Sequence, residues 1–443
     1  MSARAWLCVA VMVAAFAPAQ LPAQEGAPAD TSLHRFLGQL ADSTDRYFGL
    51  IDAPVDTAGL DSALAAGLEK PWYGPRSRRR VSYGPVTGFQ RVDGALFGAS
   101  LGVNSRVGRW SVRGDLARTS RSHDWLGGGA LAIGTRLRDV SWRLRASGGR
   151  RTEGLDRDNS ERRVAALRAL LSGDDTRNYL RRDGYSVGID ADGAEWHAGL
   201  EFRDRLESPL PVTTLWNLFH RPPEATGNLA ATFGRTREIA FNAALRLPLL
   251  PLRAQITQAF ADQALGSNFD YRRSRVVVGG EITAFRHLSF VPQFAWGRLS
   301  GDPVPQASFY LGGPQTLRSL HTESMGGTGL AVARLDVIGA DDLLALLHLP
   351  HPAMFPIQGG AFVATGAAWG PDPFGGPGSP ASGWPERNAW LSEAGLSLLY
   401  HPGVPDEDGY FRANYAWPLG PGGGREARWS VSYSRALDLL RPF

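Results

Sequence analysis

Few residues in this chain stand at spacings that chemistry uses. His348 and His351, in the run His348-Leu349-Pro350-His351, have the spacing of a metal-ligand pair. Pro350 disfavours the helix that would align both rings, and no nearby Cys or carboxylate pair completes a site. A phospholipase working in a membrane needs a serine and a histidine on neighbouring strands at the lipid interface. His123, His197 and His401 are available, none of them inside a motif that marks a nucleophile or its base. The expectation is a protein that is not an enzyme, with no catalytic residue, metal or cofactor. The segment Phe309-Tyr310-Leu311-Gly312-Gly313-Pro314-Gln315-Thr316-Leu317-Arg318-Ser319-Leu320 is different. Its paired glycines permit a tight turn at positive φ, and Arg318 requires a carboxylate partner if the segment is buried.

The elements that would position such a loop are strands with two unlike faces. Trp110, Val112 and Leu116 alternate with Ser111, Arg113 and Asp115, and Trp142, Leu144 and Ala146 with Arg143, Arg145 and Ser147. Trp196, Ala198, Leu200 and Phe202 alternate with His197, Gly199, Glu201 and Arg203, and Trp429, Val431 and Tyr433 with Ser430, Ser432 and Ser434. A soluble sandwich needs a second apolar sheet to cover such faces, whereas a membrane barrel turns them to lipid around a polar lumen. Composition agrees: 53 Gly and 13 Trp with a mean hydropathy of −0.20 are too polar for a helical membrane protein, yet supply aromatics for interfacial girdles. The net charge of +4 comes from arginines spread along strands, which suits a lumen lining and excludes a nucleic-acid site.

Arg4 followed by an apolar core from Ala5 to Phe16, too short to span a bilayer, reads as an export signal cleaved after Ala19 or Ala23. Cys8, the only cysteine, lies inside that core, so the exported chain carries no thiol. The expected organisation is a signal peptide over 1–23, a short, partly helical periplasmic segment over 24–87 ending in the basic cluster Arg76, Arg78, Arg79 and Arg80, and a barrel over 88–443. Fifteen strands are legible from about 88–104 to 427–437. Single-chain bacterial barrels close with an even number, so the expectation is an all-β, antiparallel transmembrane barrel of sixteen. The missing strand is sought between Ala225 and Pro248, at Asn228 to Phe233. Ser160 to Leu171 reads as a helix with Ser160 as N-cap, and Val212 to Pro223 as an aromatic-rich loop; both are expected as plugs or rim packing.

The glycine pair, Leu317-Arg318 and the following strand Leu330 to Val337 resemble the barrel of the bacterial surface antigen superfamily, which includes BamA, TamA and the two-partner secretion transporters. The resemblance runs from Gly88 to Phe443 and includes Phe89-Gln90-Arg91-Val92-Asp93-Gly94, similar to the residues leading into the family's first strand. It implies that Gly312, Gly313, Leu317 and Arg318 belong to a loop folded back into the lumen. It also implies a C-terminal assembly signal made of Trp429, Val431, Tyr433 and Phe443. The chain departs from the family where Ser319 and Leu320 follow the arginine and where Ala364 replaces the usual aspartate, which leaves Asp336 as the expected partner of Arg318. No periplasmic polypeptide-transport-associated domain fits in the roughly sixty residues before the first strand.

Two functions follow as expectations. One is assistance to protein or lipid insertion or translocation at the outer membrane of a Gram-negative cell, with a weak first-to-last strand seam as the working part. The alternative is a passive channel or structural barrel. In either case the expected partners are outer-membrane lipids, the assembly machinery during biogenesis and client proteins or lipids, with a monomeric barrel and no nucleic acid.

Overall fold

The computed structural model describes residues 81–434 except 106–108, 159–162, 174, 221, 223–225, 248–250, 286, 350–355, 377–382, 401–409 and 421–425. The expected signal peptide, most of the segment before the barrel, Ser160, His351, His401 and Phe443 lie outside the described residues. The strands are β1 (Val81–Gln90), β2 (Gly94–Asn104), β3 (Trp110–Thr119), β4 (Trp125–Leu137), β5 (Val140–Gly154), β6 (Tyr179–Asp192), β7 (Trp196–Pro209), β8 (Gly234–Arg246) and β9 (Leu252–Ala261). They continue with β10 (Tyr271–Gly280), β11 (Ile282–Phe285), β12 (Leu288–Gly301), β13 (Phe309–Leu311), β14 (Met325–Gly327) and β15 (Gly329–Asp342). The last four are β16 (Ile357–Trp369), β17 (Leu391–Tyr400), β18 (Tyr410–Leu419) and β19 (Arg428–Ser434). One helix, α1 (Arg163–Ser172), lies between β5 and β6.

Every wall ladder is antiparallel and joins strands adjacent in the chain, from β1–β2 to β18–β19, and β13 and β14 form a separate hairpin inside the long loop before β15. The wall contains 17 strand segments. β10 and β11 are two parts of one strand interrupted at Glu281, both opposite β12, so sixteen strands build the wall. The longest connections, β5–β6, β7–β8, β12–β15 and β16–β17, all leave one rim of the wall.

The sixteenth strand is not where the sequence suggested. Residues 228–233 form no strand, and the missing one is β1, which begins seven residues before the expected start at Gly88. Its run Val-Ser-Tyr-Gly-Pro-Val-Thr-Gly-Phe-Gln holds Gly84, Pro85 and Gly88, which depress strand propensity. Pro85 is tolerated because among the described residues β1 pairs with β2 alone, and an edge strand spares the missing N–H. Consequently Arg91-Val92-Asp93 is the turn between the first two strands, not the approach to the first, and Gly94 closes it at φ 72°.

The outer face is apolar and the inner one polar. Leu101, Trp142, Leu200 and Val431 are exposed on the outside, while their neighbours Gly102, Glu201 and Ser432 and the cations Arg143 and Arg145 face inward. Trp296, Trp369 and Trp390 cluster on the outer face near the long-loop rim, and Tyr400, Phe411 and Tyr433 stack near the other. An apolar belt between two aromatic girdles is the surface of a barrel solvated by lipid. Among the described residues no helix is long and apolar enough to cross a membrane.

A buried core exists even so, and it lies inside the wall. Inward Tyr271, Val277, Ala295, Leu299 and Val332 pack against Phe309, Leu311, Leu317 and Leu320 of the loop between β12 and β15. Gly297 faces inward where the Phe309 ring passes; an added Cβ would stand 2.5 Å from it.

Candidate functional site: the lumen loop and its anchors

Gly312 and Gly313 adopt φ values of 119° and 93°. A side chain on Gly312 would meet the carbonyl of His321 at 2.1 Å, so the chain can reverse here only through glycine. The turn is closed by Gly313 N–H donating to the Leu317 carbonyl (3.0 Å) and Gly312 N–H donating to Thr316 Oγ1 (2.8 Å). Leu317 joins the apolar core, and Arg318 is carried to the inner wall with 0% exposure.

There the guanidinium of Arg318 lies 2.8 Å from Asp336 on β15. Asp336 also accepts Arg334 at 2.8 Å and Arg412 of β18 at 3.2 Å, so one carboxylate is shared by three buried cations. Arg318 stacks with its Cζ 4.1 Å from the Phe362 ring centroid, a cation–π contact made by a fully buried guanidinium. Three cations on one anion would be costly without further acceptors. These come from the loop backbone: Arg334 donates to the carbonyls of Pro314 and Gln315 (both 3.2 Å), and Arg428 of β19 to that of Leu320 (2.9 Å).

Sequence reasoning missed Glu393. Its carboxylate accepts the backbone N–H of Arg318 (2.8 Å) and of Ser319 (2.6 Å), a two-pronged grip on the loop. Glu393 sits on β17 directly opposite Ala364 of β16, which faces Arg334 of β15 on its other side. Glu393 thus reaches the loop from the strand beside Ala364, and only the register reveals it. Solved structures similar to the chain include the following. A crystal structure of BamA from Haemophilus ducreyi lacking POTRA domains 1–3 is 14% identical with a TM-score of 0.49, over 80% of this chain and 70% of that one. CdiB from Acinetobacter baumannii (9%, TM-score 0.43) and CdiB from Escherichia coli (11%, TM-score 0.43) are matched over 80% of this chain and 59% and 62% of theirs. No protein-family model and no curated protein matches the sequence. The fold assignment stands on the ladders and the two faces described above.

The other predicted plugs pack at the long-loop rim. Trp216, in the loop after β7, meets Phe89 edge-on with centroids 6.0 Å apart, and the N–H groups of Thr213 and Thr214 donate to the Arg91 carbonyl (2.9 and 3.0 Å). Leu218 and Phe219 N–H groups donate to the carbonyls of Leu170 and Leu171 near the end of α1; the expected Ser160 cap lies outside the described residues. Buried acids join these loops. Glu323 accepts from Asn178 N (2.7 Å), Asn178 Nδ2 (3.0 Å) and Asp156 N (3.4 Å). Burial pushes the Glu323 carboxyl up to about 7, reinforced by the neighbouring Asp156 and opposed by Arg177; burial beside Asp158 raises Asp156 to about 6.

The remaining expected residues are scattered. Trp429, Val431 and Tyr433 lie on the outer face of β19, with Trp429 4.7 Å from Tyr415 and Tyr433 4.9 Å from Phe411. His197 Nδ1 lies 2.6 Å from Asp192, and no group of three or more His, Cys, Asp or Glu side chains is placed to hold a metal among the described residues.

Proposed function

We propose that this protein is an outer-membrane barrel of the Gram-negative type that assists insertion or translocation of polypeptide or lipid at the seam between its first and last strands. The observation that carries the reading is the edge of β1. Among the described residues β1 pairs with β2 and β19 with β18, no ladder joins β1 to β19, and α1 packs against both. An unpaired strand edge is a template for another strand, and here a short helix from the loop after β5 stands where wall hydrogen bonds would close the ring. The sequence resemblance to the surface antigen superfamily supports the same reading. With the long loops outward, the anchored loop blocks one side of the lumen, so material passes along the wall. The partners are then outer-membrane lipids, client chains and the machinery that assembles the barrel itself.

The test exploits a chain whose only cysteine is Cys8. Val86 in β1 and Ala166 in α1 line one cavity, and a disulfide formed between Val86→Cys and Ala166→Cys on oxidation would fasten the two elements together. In cells depleted of the natural chain, the oxidised variant should leave outer-membrane protein and lipid content as low as depletion does, and reductant should restore it. Normal content with the disulfide formed would sink the seam mechanism. The second reading, a passive channel, is favoured by the open, arginine-lined part of the lumen and is what an unchanged outer membrane would leave standing.

A further inference from the structure

Away from the inserted loop, the inner wall carries an arrangement that the seam does not use. Asp115, Gly128, Gly149, Gly184 and Arg205 lie side by side across β3 to β7, each directly opposite the next. Opposed residues share a face, so three successive glycines leave the inner wall bare beside Arg205. Side chains cannot be restored there: a Cβ on Gly184 would stand 2.1 Å from the Asp204 carbonyl, and one on Gly149 2.2 Å from that of Gly127. The bare strip floors a cavity of about 200 Å³ whose polar lining is Arg205, Arg182, Arg151, Ser147, Ser186 and one acid, Glu153.

The charges around it do not cancel. Each nearby carboxylate has an arginine: Asp115 pairs with Arg151, Glu153 and Glu207 with Arg182, and Glu201 and Glu238 with Arg203. Arg205 has neither hydrogen bond nor ion pair among the described residues, although it lines the cavity. The side chain of Arg182 is only 7% exposed, and its Nη2 has no hydrogen-bond partner. A buried donor without an acceptor is costly, and here it lies beside an unpaired cation. On the far side, the hydroxyls of Ser147 and Ser186 touch at 3.0 Å, and that of Ser186 also bonds the Glu201 carboxylate.

We propose that this cavity binds a phosphate-type oxyanion, either inorganic phosphate or the phosphate of a monoester. Two guanidinium groups on one side and two hydroxyls on the other suit a tetrahedral anion with oxygens in several directions, whereas a planar carboxylate is satisfied by a single fork. The glycine floor lets the anion approach the wall, and the inward position excludes lipid headgroups in the bilayer plane. The inference is independent of the seam mechanism.

The test is calorimetric titration of the refolded full chain in detergent micelles with inorganic phosphate, with glycerol phosphate and with acetate, at constant ionic strength. Saturable binding of either phosphate, with acetate at least ten-fold weaker, is expected. Arg205→Gln should weaken phosphate at least ten-fold, Arg205→Lys should recover part of it, and Ser186→Ala should cost about three-fold. Arg113→Gln removes the same charge from the inner wall four strands away and should change affinity less than two-fold. Binding of inorganic phosphate but not the ester assigns the free ion; the reverse assigns a phosphorylated solute. No saturable phosphate signal, equal affinity for acetate, or equal losses in the Arg113 and Arg205 variants would each overturn the proposal. Should Arg205→Gln not refold, the Lys and Ser186 variants decide alone.

Discussion

The inner wall has two parts built from the same alternating strands, and they end in opposite states. From β10 to β19 the inward side chains meet the inserted loop and are excluded from water: Arg318, Arg334, Asp336, Glu393 and Arg412 are all buried. From β3 to β7 they face open lumen, and Arg145 and Arg151 keep 47% and 43% of their side-chain surface exposed although both have acid partners. Strand pattern is the same in both parts. What differs is whether a loop returns, and this converts ion pairs of marginal worth into ones the wall cannot lose. Screened, half-exposed pairs contribute about 0–1 kcal/mol, whereas removing one partner of a buried pair costs roughly 3–5 kcal/mol.

The largest effect should therefore come from Asp336→Ala, which strands three buried guanidinium groups, set against Asp115→Ala, which frees one half-exposed arginine. Urea unfolding in micelles should show a loss of about 3–5 kcal/mol for the first and under about 1 kcal/mol for the second; equal losses would erase the distinction between the two parts. A double-mutant cycle of Arg318→Ala with Asp336→Ala sharpens it, since strong coupling is expected for a shared site and additive losses would place the arginine's energy elsewhere.

The next effect tests the faces that both parts have in common. Leu200→Arg on the outside should cost about 2–4 kcal/mol near the midplane, while Glu201→Arg one residue away should be tolerated much better. Equal tolerance would contradict the inward and outward assignment.

Glu393→Gln is expected to be smaller, on the order of 1–3 kcal/mol, because two charge-assisted bonds to the loop backbone become neutral or are lost. Hydrogen exchange should speed up at the Arg318 and Ser319 amides and stay unchanged in β3 to β7.

The smallest effect is confined to the rim. Glu323 and Asp156 hold their protons more tightly in the folded protein, with values of about 7 and 6 against ordinary ones of 4.5 and 3.8. The folded state thus binds more protons over that interval, so rim stability is greatest below pH 4, falls as pH rises to about 7 and is flat above. Exchange at Asn178 should accelerate across that window in the natural protein and lose its pH dependence in Glu323→Gln; a profile that slows with rising pH would reverse the assignment.

Much of the wall is legible in the sequence because the two-residue period has a physical cause visible locally: one face meets lipid, the other does not. β1 escapes because glycine and proline at an edge mute that period, and an edge strand has no second neighbour whose pattern would demand it. The inserted loop is legible through Gly312, Gly313 and Arg318, whose types are forced by backbone geometry and charge. Its grip is not. Glu393, Arg412 and Arg428 lie 75 or more residues beyond Arg318 in the chain, and only the ladders β16–β17, β17–β18 and β18–β19 bring them to it. The unpaired Arg205 is equally silent, since nothing local separates it from Arg203, which is paired.

Three of the side chains that hold the inserted loop, Glu393, Arg412 and Arg428, belong to the last three strands made. A chain made from its N-terminal end therefore presents Gly312 to Leu320 long before it owns the residues that fasten them. Until β17 to β19 arrive, Asp336 can hold Arg318 only with help from its own strand, and the loop's backbone amides have no carboxylate to receive them. Docking thus waits for β17 to β19: a barrel lacking them keeps its lipid-facing stripe yet leaves its own lumen unbarred.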